Sequence, residues 1–398
     1  MPLTLTLLAT ALPQDRAALW RKDIDYVTAE LPKLHKDLFH EISKEDWQRS
    51  AGIAKKELGD QPSVARFAVA MMRHIARVGD GHTNFSWQWI GLPACPIRLM
   101  SFEEGVFVLA SGNGEDRLKG ARLVKIDGMP VAKIIDALSP LIPHENPVLL
   151  DKQALGLMAV PALLMELGIA KKADRLQLEC IDAKGKPFET ELRALPAKTL
   201  KRIRYRFSFT KVPMCLEKAR SPFWYRYLED RRSLYLKYNK CQDAKGFGKL
   251  VQEMWASVED KPVDKLIIDV RHNGGGSSTI LQALTATFPK HMKVIKKGLY
   301  VIIGRNTFSS ALLNATMLKR AWHATLVGEA TAGKPNHFGE VRKLRLPESH
   351  LTVFYSTKYF KKVEGDPPSL KPDRPVLLSA KAFFAGKDPF LEAVFTDK

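Results

Sequence analysis

The stretch Asn306–Lys334, NTFSSALLNATMLKRAWHATLVGEATAGK, narrows the fold more than any other part of the chain. An apolar run with strand character, Leu299 to Ile303, feeds into it, and the polar turn NTF then presents Ser309 and Ser310. Ala311, Leu312, Ala315, Leu318 and Ala321 recur at helical spacing, and Thr325 to Val327 forms a short strand before a Gly/Thr/Ala loop that delivers Lys334. Strand, turn, helix, strand and loop predict an α/β layer. Ser309 falls at or just before a helix N-terminus, where unmatched backbone N–H groups and the helix dipole favour developing negative charge. Serine is also a favoured helix N-cap, so the position alone is open to a capping role or a catalytic one.

The remainder of the chain gives this layer company. Its 398 residues suffice for two or three domains. Apolar content of 45% and charged content of 26% are those of a globular protein. No apolar run reaches the roughly 18 residues that an integral membrane helix needs. The net charge of +19 comes from scattered basic residues, as in AKTLKRIRYR and KVIKK, with no nucleic-acid module. Nucleic acid is therefore not expected as a partner. Cys95, Cys180, Cys215 and Cys241 are far apart and form no CxxC pair, which speaks against a zinc or thioredoxin-type site and for buried thiols.

Four segments are expected. Residues 1–13 carry an apolar stretch, Leu3 to Leu12, with Ala9-Thr10-Ala11 like a cleavage site but no basic start. They read as the remnant of an export signal, placing the protein in the periplasm or outside the cell, or as an ordinary frayed terminus of a cytoplasmic one. Residues 14–90 form a helical subdomain: a stripe through Trp20, Ile24, Val27, Leu31 and Leu34, a second helix capped by Ser43, and a third opened by Ser63. This segment ends in Gly79-Asp80-Gly81-His82-Thr83, where a capping aspartate and a surface histidine would be the plain expectation. Residues 91–195 alternate short strands with glycine turns and form a β-rich module, and 196–398 return to α/β. There, Lys265 to Val270 is a buried strand running straight into Arg271-His272-Asn273-Gly274-Gly275-Gly276, whose glycines let a ligand approach the backbone. The Gly-Lys-Ser/Thr ending of a nucleotide loop is absent.

Taken together, LIIDVRHNGGG, TFSSALLNA, LVGEATAGK and the upstream GDGHT resemble the tail-specific, or C-terminal processing, serine peptidases and their tricorn-core relatives. The resemblance covers the N-terminal helices and the chain from about residue 230 to 378. It implies a crotonase/ClpP-like α/β catalytic domain over 196–398, and GARLVKIDGMPVAKI resembles the second half of a PDZ domain in the middle module. It also implies hydrolysis of a peptide or protein substrate, with no cofactor and no metal. Ser309 matches the family's nucleophile. Gly274, Gly275 and Gly276, with the N–H of Ser310, match its oxyanion hole.

Two proton acceptors stay open. Lys334, 25 positions after Ser309, matches the lysine base of the processing branch, and its neighbours Gly333 and Pro335 are apolar enough to favour an uncharged amine. His82 matches the histidine base of the tricorn branch and needs no such tuning. Asn336, His337 and Glu340 are further candidates for the same cleft, and Glu364 lies near the tricorn branch's supporting carboxylate. The chain lacks the SASxSE surround of the processing branch's nucleophile. Rival readings are a non-catalytic scaffold binding peptides or apolar ligands, and an acyl-CoA enzyme on the same fold.

Overall fold

A computed structural model describes residues 13–85, 90–112, 115–207, 209 and 211–396. Residues 1–12 of the expected export-signal segment lie outside these. In chain order, the elements begin with helices α1 (Pro13–Leu34), α2 (Lys44–Leu58) and α3 (Val64–Ala76) and strands β1 (Asn84–Phe85), β2 (Ile97–Phe102), β3 (Gly105–Ser111) and β4 (Arg122–Ile126). Next come α4 (Val131–Leu138), α5 (Pro147–Leu157), α6 (Pro161–Glu166), β5 (Arg175–Ile181) and β6 (Pro187–Arg193). The second half holds β7 (Phe223–Leu228), β8 (Ser233–Tyr238), α7 (Ala244–Ala256), β9 (Lys265–Asp269), β10 (Leu299–Ile303), α8 (Ser310–Trp322) and β11 (Thr325–Gly328). A long hairpin, β12 (His337–Arg345) and β13 (Thr352–Phe360), precedes β14 (Arg374–Pro375), α9 (Ala380–Phe384) and α10 (Pro389–Phe395). Among the described residues no helix is long and apolar enough to cross a membrane.

The chain divides into two compact units. The first comprises Met1–Ser101, Gly105–Ser208 and His337–Phe360. The Ser43 and Ser63 hydroxyls cap α2 and α3, accepting from the N–H groups of Asp46 and Arg66 at 3.0 and 2.9 Å. Helix stripe and sheet share one core, in which Trp20, Ile24 and Phe67 join Leu123, Leu178, Leu346 and Val353. The boundary expected near residue 90 thus falls inside this unit, and so does the one near 195. The hairpin β12–β13 leaves the expected 196–398 segment for it as well. One sheet runs β2-β3-β4-β5-β6, and a second runs β1-β13-β12. Pairing of Asn84 with Phe354 and Phe85 with Val353 pins the loop after α3 to β13.

The second unit comprises Phe102–Glu104, Phe209–Asn336 and Lys361–Lys398. Its sheet runs β14-β11-β10-β9-β8-β7, parallel except for β7. Every residue of β8, β9 and β10 is buried, as parallel strands covered on both faces require. The four cysteines are free and buried, as their spacing predicts.

His74 on α3 generates a stability test. Its Nε2 lies 3.1 Å from Thr28 Oγ1 and its Nδ1 2.7 Å from Ser50 Oγ, two hydroxyls that also donate to the Ile24 and Trp47 carbonyls. The ring is neutral, stacks on Trp47 at 3.8 Å, and burial pulls its pKa down to about 3. An unfolded histidine titrates near about 6.5, so on acidification the unfolded state takes up the proton first. Stability from this group is complete above that value and falls as pH drops towards 3, at up to about 1.4 kcal/mol per pH unit. Urea titrations from pH 7 to 4 should show this slope in the native chain and a shallower one in His74→Gln.

Candidate active site

The loops after β9, β10 and β11 all leave the carboxyl edge of the parallel sheet, where open α/β sheets gather their ligands. Side chains and main chain tie the first two together. Thr307 Oγ1 donates to the Val270 carbonyl at 3.0 Å and accepts the Gly304 N–H at 3.0 Å, while Phe308 N–H reaches the Asn273 carbonyl at 3.1 Å. Below the glycine loop lies a buried ionic cluster. Asp269 accepts from Lys237 Nζ at 2.9 Å and from Tyr235 at 2.6 Å. It also pairs with Arg271 at 2.9 Å, and Arg271 in turn reaches Asp388 at 2.6 Å. Burial alone would raise the pKa of Asp269; the Arg271 and Lys237 charges instead hold it far below the usual carboxylate range.

Ser309 stands at the mouth of α8 with φ +52° and ψ −129°, a left-handed conformation uncommon outside glycine. Its hydroxyl caps nothing in the helix. A serine serving as an N-cap has extended backbone and accepts a bond from the first turn; this one does neither. A Cβ on Gly275 would lie 2.8 Å from Ser309 Cβ and 3.2 Å from Ser310 N, so only a glycine permits this approach. Ser310 Oγ donates to the Gly276 carbonyl at 2.6 Å, locking the turn to the loop.

The expected oxyanion donors are not equivalent. The Gly275 N–H is already taken up by Asn273 Oδ1 at 2.9 Å. The amides of Gly274 and Gly276 meet no acceptor among the described residues. Ser310, as the first residue of α8, has an N–H that the helix leaves unmatched.

Lys334 follows Gly333, which packs so closely on Phe308 and Leu312 that a Cβ there would come within 3.0 Å of both side chains. The loop is thereby seated against the serine turn of its own unit. The Lys334 ammonium, however, donates to the Asp366 carboxylate. Asn336 holds the 362–365 backbone: its Nδ2 donates to the carbonyls of Val363 and Gly365 at 3.1 and 2.7 Å, and its Oδ1 accepts from Lys362 and Val363 at 2.7 and 3.0 Å. Its bonding capacity is filled by the chain itself. Glu364 is exposed.

The other expected residues belong to the first unit. His82 and Asp80 are not the surface histidine and capping aspartate of the plain expectation; they are 7% and 0% exposed. Asp80 Oδ2 accepts from His35 Nε2 at 3.1 Å, Thr83 Oγ1 at 2.5 Å and Ser356 Oγ at 2.5 Å, and Oδ1 accepts the His82 N–H at 2.9 Å. The His82 Nδ1 lies 3.8 Å from Oδ1. Burial would push the Asp80 pKa up; the His35 bond, the His82 imidazole and the Ser356 hydroxyl hold it well below the usual carboxylate range. His337, the first residue of β12, is buried and stacks on His82 with ring centroids 5.3 Å apart and planes 11° from parallel. Glu340, further along β12, is exposed.

Sequence reasoning took Asp80 for a turn former and passed over Glu145, which sits within the Pro/Asn-rich PHENP segment. Asp80, His82 and Glu145 each bring a ligand atom within 4.8 Å of the others, a spacing that would admit a metal ion. Four hydrogen-bond donors already occupy the Asp80 carboxylate, so proton donors rather than a cation satisfy it.

No family model matches the chain, and no curated protein matches it. Solved structures do. Mature CPAF complexed with lactacystin superposes with TM-score 0.67 and 14% identity, covering 96% of this chain and 97% of its own. Mature CPAF by itself gives 0.63 and 15%, covering 95% and 96%. A photosystem II D1 C-terminal processing protease aligns more loosely, at 0.44 and 13% over 94% and 98%. The chain has the mixed α/β fold of CPAF. At these identities the likeness is one of fold.

The glycine loop offers a test of its own. Gly276 has φ +131°, and a Cβ there would sit 2.1 Å from the Cys241 carbonyl oxygen. Gly276→Ala should therefore cost at least about 1–3 kcal/mol in urea unfolding, and Gly274→Ala, with nothing within 4 Å of its Cβ, far less.

Proposed function

We propose that the protein is a serine peptidase that cleaves peptide or protein substrates through an acyl-enzyme on Ser309. The observation that carries this reading is the Ser309 turn: an uncapped hydroxyl in left-handed backbone, at a helix N-terminus, with Gly275 packed against its Cβ. A serine needed only for capping has no use for such strain, whereas a nucleophile gains exposure and a ready pair of amides. The Ser309 Oγ attacks the peptide carbonyl while a base takes its proton. The Ser310 amide and a glycine-loop amide hold the oxyanion. Collapse expels the amine, which leaves with that proton, and water then releases the acid by the same steps in reverse. No cofactor enters this chemistry. The helix-flanked parallel sheet of the second unit favours a crotonase-like reading of the catalytic layer. The β4 strand and α4, which carry the GARLVKIDGMPVAKI segment, favour a PDZ-like reading of the middle module.

Two candidate bases stand, Lys334 in the same unit as Ser309 and His82 in the first unit. The Lys334 ammonium acts as a donor to Asp366, whereas the His82 ring has a buried carboxylate beside Nδ1, the arrangement that leaves Nε2 as an acceptor. A periplasmic or extracellular site rests on the apolar Leu3–Leu12 run, to which the four free thiols add nothing.

Ser309→Ala should lower kcat/KM on a peptide substrate by at least about a thousandfold with unchanged unfolding. Full retained activity would end the reading. In the same assay, whichever of Lys334→Met and His82→Gln is as inactive as Ser309→Ala identifies the base, and the other should lose about tenfold or less.

A further inference from the structure

We infer that Asn273 is a positioning residue of the reaction: it turns two of the three loop amides aside and leaves the Gly276 N–H to join that of Ser310 at the oxyanion. This rests on the reading of Ser309 as the nucleophile, and every group it uses belongs to the second unit. Asn273 is fully buried, so it offers a substrate no surface to touch. Its N–H donates to the Val270 carbonyl at 3.0 Å and its Nδ2 to the Tyr238 carbonyl at 2.9 Å. Its own carbonyl accepts from the Phe308 N–H at 3.1 Å. The ends of β8 and β9 and the serine turn therefore all meet on this one residue.

In a trans peptide the carbonyl and the N–H that follows it point in opposite directions. The Asn273 carbonyl faces Phe308, the residue before the nucleophile, so the Gly274 N–H of the same peptide faces away from the serine turn. The Gly275 N–H is occupied by Asn273 Oδ1 at 2.9 Å. Gly276 is placed by its flanks: the Gly275 carbonyl accepts from the Cys241 N–H at 3.0 Å, and the Ser277 N–H donates to the Cys241 carbonyl at 2.8 Å. Both main-chain groups of Gly276 itself therefore point away from Cys241. Its carbonyl accepts from Ser310 Oγ at 2.6 Å, while its N–H meets no acceptor among the described residues and the residue is exposed. Ser310 carries the other unmatched amide, at the start of α8. Three glycines in a row rotate easily, so the loop keeps this pattern only while Asn273 Oδ1 and the Cys241 main chain grip it. An amide held in this way is preorganised for charge that appears only in the transition state.

The test compares Asn273→Ala with the native protein in kcat, in KM and in the inhibition constant of a peptide boronic acid, which mimics the tetrahedral state. The inference expects kcat to fall about a hundredfold and the boronate to bind more weakly by a similar factor. KM should change by about threefold or less. A merely structural Asn273 would lower kcat in proportion to folded protein and leave the boronate constant native. That result, or a raised KM at native kcat, would overturn the inference. Should Asn273→Ala fail to fold, NMR of the native protein labelled with nitrogen-15 glycine reads the donor directly. On boronate binding, the largest downfield move among the glycine amide protons should fall on Gly276; a largest move at Gly274, Gly275 or any other glycine refutes the assignment. Ser309→Ala separates the two claims. If that variant keeps full activity, the peptidase reading itself fails; if it is inactive while Asn273→Ala matches the native protein in kcat and boronate binding, only this inference fails.

Discussion

The close approach of Gly275 to Ser309 is the constraint from which the second unit's edge is built. With less than 3 Å between the Cβ of Ser309 and the place a Gly275 side chain would occupy, the glycine loop and the serine turn behave as one piece. Thr307, Phe308 and Ser310 each add a bond between them. The piece is held from below by the Asp269 cluster, whose four charges are buried and cannot be rearranged without leaving one of them unpaired. Parallel packing of β9 and β10 sets the distance between the two loops before any side chain acts. The left-handed backbone at Ser309 is thus a local cost sustained by long-range packing.

How much of this was legible in the sequence varies with the physics of each element. The parallel strands announced themselves, because burial on both faces demands runs such as KLIIDV and LYVII. Caps at Ser43 and Ser63 were legible for the same local reason. The hairpin β12–β13 was not read. Its alternation, as in VRKLRL, is diluted by basic residues, and its membership of the first unit depends on pairing with β1, some 270 residues earlier. The motif residues were legible as types, but their states were not. Ser309 could not be told from a capping serine until its φ and its missing cap bond were known. Asp80 looked like a turn former because short-range rules apply to it equally well; its burial comes from Ser356 and His35, both remote in sequence.

The two bases that the sequence left open meet carboxylates of different exposure. Lys334 meets Asp366, which is well exposed. His82 meets Asp80, which is not exposed at all.

The central claim is that the Ser309 hydroxyl is a nucleophile served by its neighbouring amides. The most direct measurement is a crystal structure of the protein treated with a peptide boronic acid, which forms a tetrahedral adduct with an active serine. The account predicts a covalent bond from Ser309 Oγ to boron, with one boronate oxygen within hydrogen-bond distance of the Ser310 amide and of a glycine-loop amide. A saturating boronate found on another residue, or bound with Ser309 Oγ unmodified, would contradict it.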